Sequence, residues 1–222
     1  MASSRLKRSN ASSRKARERR ARRQEIMAAA RVLFTRNGFH GTTLEEVAFH
    51  AGFGKGTIYN YFSSKEDLLS GIIDQIIQDT LTLAQTVTRA AGAGARRQLA
   101  AYAEAMIAHA RDNADLFNLI MREVTHLDTA TSGDTLAELS RRGKKIRELL
   151  TPPLAKEIRK GTIRFADPHW LAATFDGMVR EYCMMQFGAF RHLASERINA
   201  EEAGEKIVAV FFDGVAQRKR KV

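Results

Sequence analysis

The chain has 222 residues, 44% hydrophobic and 27% charged, which is ordinary globular usage, and a chain of this length buries roughly 70% of its unfolded surface without metals or disulfides. Its lone cysteine, Cys183, excludes an internal disulfide framework, and no Cys/His spacing fits a structural zinc site, so a reducing, cytoplasmic setting with no metal or cofactor is expected. No apolar run reaches the roughly 18 residues that cross a bilayer, and the first residues lead into arginines, so neither a membrane span nor an export leader is expected.

The net charge of +11 is unevenly placed. Met1 to Arg23 holds ten lysines and arginines against Glu18 alone, and Arg218 to Lys221 adds four cations, leaving the body close to neutral. With one leucine and no aromatic residue, segment 1–23 cannot offset its ordering entropy by burial, so it reads as a disordered basic arm, matched by a basic tail at 218–222. Its expected partner is a polyanion, since neutralised phosphates release counterions.

A compact head is predicted over residues 24–70. Ile26, Ala30, Leu33 and Phe34 fall at helical spacing and Gly38 supplies a stop. Thr42 and Thr43 stand three residues before Glu45 and Glu46, a capping box in either register, and Leu44, Val47, Ala48 and Ala51 follow on one stripe. Gly52 to Gly54 make a tight turn, after which a helix over 55–62 places Ile58 and Phe62 inward, against Leu33, Phe34 and Val47. Phe39, Phe49 and Phe53 are expected to pack between helices. The outward face offers Lys55, Thr57, Tyr59 and Asn60, with Gly56 allowing close backbone approach and Tyr61 at the flank. Two helices joined by a glycine turn, the second polar outside and apolar inside, define a helix-turn-helix reader sized for a major groove. Ser63 or Ser64 then caps a fourth helix. Lys65 in its first turn opposes the helix dipole and needs a reason to be there, which a nearby phosphate would supply.

The stretch T-T-L-E-E-V-A-F-H-A-G-F-G-K-G-T-I-Y-N-Y-F-S-S-K-E-D-L-L resembles the DNA-binding signature of the TetR family of bacterial transcriptional regulators. That resemblance implies that Thr42 or Thr43, Tyr61 and Lys65 touch phosphates while Lys55, Thr57, Tyr59 and Asn60 face base edges. Phosphate contacts set position and base contacts set sequence preference. Gly54 stands where the family usually has a small polar residue, so a hydroxyl is lost at the entry to the recognition helix.

Beyond the head the pattern is helical throughout, giving an all-α fold with a larger helical domain over 71–217. The fourth helix is expected to reach about Arg89, followed by helices near 96–111, 114–127, 134–160, 168–190 and 200–217. Asp167-Pro168 and Asn199 with Glu201 and Glu202 mark two starts. The last two helices carry more apolar residues than one buried face needs, which predicts a homodimer joined through them; the resemblance implies the same dimer. It further implies a small-molecule effector among the central helices, expected to be apolar or amphipathic, with Phe117, Met121, Phe175, Met178 and Tyr182 as candidate lining. His109, Asn118, Arg122 and Arg180 are candidate polar contacts.

No catalytic motif is present: there is no H-E-x-x-H, no G-x-S-x-G and no histidine assignable to Cys183. The expected function is a homodimeric repressor that binds a double-stranded DNA operator and is released by an effector. The alternative is a sequence-independent architectural protein driven by its basic arms, distinguished by specificity ratio rather than affinity.

Overall fold

The computed structural model describes residues 2–119, 129–165, 167–188 and 199–215, and their side chains outside 2–12, 129–140, 142 and 215. The fold is all-α. Its helices are α1 (Ala2–Asn37), α2 (Leu44–His50), α3 (Lys55–Ile58), α4 (Lys65–Ala90), α5 (Ala95–Asp112), α6 (Thr129–Arg159), α7 (Pro168–Phe187) and α8 (Ala200–Val215). Residues 114–119 are also helical, and the remainder of the helix expected to 127 lies outside the described residues, as does the basic tail. The chain divides into two compact units, residues 1–74 and 75–222. The division falls inside α4, four residues beyond the expected boundary at 70.

The basic arm differs from expectation, because α1 is continuous from Ala2 rather than beginning at Gln24. Residues 13–22 are all exposed, so that stretch gains nothing from burial, as its composition requires. Propensity supplies the helix instead. No glycine or proline occurs before Gly38, the segment is rich in Ala, Arg and Lys, and Arg14 pairs with Glu18 one turn on at 3.3 Å.

In the first unit Ile26, Ala30, Phe34, Val47, Ile58, Phe62, Leu68, Leu69 and Ile72 are fully buried, while Leu33 is only half-buried. These residues recur at i+3 and i+4 on α1, α2 and α4, so three amphipathic stripes close one small core. Phe49 breaks the expectation of inter-helix packing: it is 87% exposed. At 100° per residue it lies opposite the Leu44–Val47–Ala48 stripe, which accounts for its position.

The second unit is built on Leu99, Tyr102, Ala103, Ile107, Leu150, Leu154, Leu171, Phe175, Val179 and Phe211. The start of α7 is capped by Asp167, whose carboxylate accepts from the amides of His169 at 2.9 Å and Trp170 at 3.2 Å, with Pro168 in the first turn where no amide is needed. Asn199 does the same for α8 through Glu202 N at 2.8 Å. Within this apolar core Asp176 is buried and accepts a 2.6 Å hydrogen bond from the Tyr102 hydroxyl, with the Arg147 guanidinium at 3.7 Å and that of Arg180 at 4.0 Å. Burial, then the Asp176 charge, pushes the Tyr102 phenol well above its usual range. Burial first and Asp176 second likewise push the Cys183 thiol up to about 12, so this cysteine is an inert core residue.

Candidate nucleic-acid interface

The recognition segment is aimed by the turn before it. Gly52 takes a left-handed backbone at φ +75°, and two hydrogen bonds close the end of α2: Gly52 N donates to Phe49 O at 3.1 Å and Phe53 N to Ala48 O at 2.8 Å. This is a Schellman motif, and a side chain at 52 would strain it. Gly54 then opens α3 with extended backbone and no side-chain cap.

Regular α-helix lasts only from Lys55 to Ile58, shorter than the expected 55–62. The chain continues as a tightened turn, in which Asn60 N reaches Thr57 O at 3.1 Å and Tyr61 N reaches Ile58 O at 2.9 Å. A glycine, two β-branched residues and Tyr-Asn-Tyr are poor helix formers, and the segment is pinned by burial of Ile58 and Phe62 rather than by propensity. Above those anchors Lys55, Gly56, Tyr59 and Asn60 are exposed and Thr57 and Tyr61 are half-buried.

The threonine alternatives separate. Thr42 is 1% exposed; its hydroxyl donates to Gly38 O at 2.9 Å and Leu33 O at 3.4 Å, capping the carbonyl end of α1. Burial therefore removes Thr42 from the DNA-contact set. Thr43 is exposed and is the N-cap of α2. Its hydroxyl accepts from Glu46 N at 3.2 Å while the Glu46 carboxylate accepts from Thr43 N at 2.8 Å. The Thr43 amide, then its hydroxyl, hold the Glu46 carboxyl below its usual range.

Because the capping box takes Glu46, Glu45 is left to the recognition segment. One oxygen, Oε1, accepts from Lys55 Nζ at 2.9 Å and from the Tyr59 hydroxyl at 3.0 Å. The hydrogen bond from Lys55 is the chief cause of a lowered Glu45 carboxyl, and Glu45 in turn raises both Lys55 and Tyr59. Glu45 carries no helical-phase signal of its own; only its sign, opposite to Lys55, could have marked it.

Lys65 has a reason internal to the fold. Its ammonium donates to Thr42 O at 3.0 Å and His40 O at 3.5 Å and sits 4.6 Å from the centroid of the Phe39 ring. The base of the arm also meets the recognition segment: the Arg19 guanidinium lies 5.9 Å from the Tyr61 ring centroid and that of Arg23 4.7 Å from Phe62. Arg14, Lys15, Arg17, Arg20 and Arg22 are exposed on the same helix.

The effector candidates fall differently. Phe175 is fully buried and packs edge-on against Phe211, with centroids 5.1 Å apart, so it is core. Phe117, Met178 and Tyr182 are half-buried, and Met121 and Arg122 lie outside the described residues. The Tyr182 hydroxyl is buried without a hydrogen-bond partner, the one such side-chain atom among the described residues. His109 faces Thr80 at 3.2 Å, Asn118 donates to Phe187 O at 2.8 Å, and Arg180 is a largely exposed neighbour of Asp176. Sequence reasoning missed the Tyr102–Asp176 pair. Among the described residues no group of three or more His, Cys, Asp or Glu is placed to hold a metal, and no helix is long and apolar enough to cross a membrane.

Comparison with known proteins agrees with this geometry. Residues 26–72 match the family model of bacterial regulatory proteins of the tetR family. Over 60 residues the chain is 40% identical to the HTH-type transcriptional regulator YfiR of Bacillus subtilis, a match covering 27% of this chain and 29% of that protein, so under a third of that relative is spanned. Similarity to the HTH-type transcriptional repressor KstR2 of Rhodococcus jostii is lower, at 24% identity, but extends over 88% of this chain and 91% of the relative. A solved structure from Thermobifida fusca, described as a transcriptional regulator of the TetR/AcrR family, superposes with a TM-score of 0.67 at 24% identity, covering 89% of this chain and 100% of that one. The likeness to the tetR family of bacterial regulatory proteins is carried by residues 26–72.

Proposed function

We propose that the protein is a sequence-specific transcriptional regulator of the cytoplasm that binds a double-stranded operator as a homodimer. Lys55, Thr57, Tyr59 and Asn60 address base edges, Gly56 lets the backbone approach, and Thr43, Tyr61 and Lys65 hold flanking phosphates. The third ammonium proton of Lys65, beyond its two carbonyl partners, serves that contact. The observation that carries the reading is the outward face of the recognition segment above buried Ile58 and Phe62. Homodimerisation through α7 and α8 is supported by Trp170 and Val210, 54% and 66% exposed on those helices; a two-fold pair would set two readers about 34 Å apart. Sedimentation at micromolar concentration reports a dimer; a stable monomer removes the half-site geometry.

Repression relieved by an apolar or amphipathic effector completes the reading. Its support is the buried, unpartnered Tyr182 hydroxyl, a donor available to a ligand's acceptor, together with similarity to a relative named as a repressor. An effector preferring one state of the dimer would change operator affinity by about 5- to 150-fold. Selection from random duplexes tests the whole: a recurrent two-fold symmetric sequence is expected, bound at least about a thousandfold tighter than random duplex. Equal affinity for all duplexes would favour the sequence-independent architectural role, which the exposed cations of α1 also suit.

A further inference from the structure

Glu45 stands out because it takes no part in closing either end of α2. The start of α2 is already closed by Thr43 and Glu46, and the turn after it by Gly52. The Lys55 side chain is 71% exposed, and ion pairs so open to water add little to stability. Yet both donors converge on one oxygen of Glu45, and both donors belong to the outward face of the recognition segment. A carboxylate at that face is unfavourable for any approach to phosphates. It cancels the Lys55 charge, so a duplex offering only phosphates gains little from that lysine. A duplex offering base acceptors at the right place, such as guanine O6 and N7, takes over the lysine and the tyrosine hydroxyl in exchange.

We propose that Glu45 is a specificity-determining positioning residue, which holds and neutralises Lys55 until base acceptors displace it, and so suppresses binding to non-cognate DNA. This rests on the DNA-reading function proposed above, and the test separates the two. Wild type, Glu45→Gln and Glu45→Ala are titrated across a salt series with a duplex selected by the wild-type protein and with random duplex. Removing the charge frees one cation per protomer, so both variants steepen the log–log salt dependence on random duplex by about 0.9 per protomer. The selected-to-random affinity ratio falls about tenfold, a change of about 1.4 kcal/mol in discrimination. In a Lys55→Ala background the same substitutions change neither quantity, which a merely structural role for Glu45 would not produce. Thermal melting that matches wild type certifies the head as folded. An unchanged ratio and slope in Glu45→Gln, or equal changes with Lys55 absent, overturns the proposal while the regulator reading stands. If wild type selects no duplex at all, both fall together.

Discussion

Two carboxylates in this protein each accept from a tyrosine hydroxyl and face a basic side chain, one in each unit, and water distinguishes them. Asp176 is buried between α5, α6 and α7, where it receives Tyr102 at 2.6 Å and faces Arg147 at 3.7 Å. Glu45 is at the surface, receiving Tyr59 at 3.0 Å and Lys55 at 2.9 Å. A buried hydroxyl that loses its acceptor has nothing to replace it, whereas an exposed one turns to solvent or to a ligand. The same chemistry is therefore a fixed joint in one place and an exchangeable contact in the other. Position relative to water, not residue type, separates fold from function here.

The largest expected effect tests the buried member. Asp176→Ala should lower unfolding free energy by about 2–4 kcal/mol, since it strands the Tyr102 hydroxyl and leaves Arg147 without its partner; urea denaturation measures it, and a loss near zero would put Asp176 on the same footing as Glu45. The exposed member should show the reverse pattern. Lys55→Ala or Tyr59→Phe should leave urea midpoints unchanged and weaken operator binding by about 1–3 kcal/mol per lost base contact, read by gel shift against the selected duplex. Thr43→Ala, which removes a cap but no buried group, should cost about 1 kcal/mol of stability.

Acid and alkali sharpen the contrast further. Glu45 and Glu46 have lowered carboxyls, so their contribution is present above the ordinary value of 4.5 and is lost as pH falls below it. Tyr102 and Cys183 are raised, so theirs is present below the ordinary values of 10.0 and 9.0 and is lost as pH rises, for Cys183 up to about 12. Denaturation midpoints should thus fall above about pH 9, and Cys183→Ala should shallow that decline. The smallest effect is the arm's: deleting residues 1–23 should flatten the salt dependence of DNA binding, with a slope loss of about 0.9 per phosphate released.

Much of the head was legible because its signals are local. The capping threonines, the turn glycine and the i+4 pair Ile58–Phe62 lie within about one helical turn of what they determine. What escaped needed distance. The burial of Thr42 depends on the carbonyl end of α1, and Lys65 finds its partners 23 and 25 residues back in the chain. Glu45 became visible only once the capping box had chosen Glu46. Tyr102 and Asp176 are 74 residues apart and no periodicity joins them. Phe49 is a different case, since its phase on α2 already placed it outside the apolar stripe. Segment 1–23 lies on a helix without needing burial, because local propensity alone favours a helix there.

The unbroken run of α1 bears on how the protein would ride along a duplex. Between positions 14 and 23 its seven cationic side chains succeed one another at about 100° per residue, so they are distributed around a stiff rod instead of along one edge. A rod of that kind cannot turn all its positive groups toward one phosphate track at the same time, as a slack tail can. The number of ions displaced on docking is therefore smaller than the tally of arginines and lysines, and the cations on the far side stay turned to solvent.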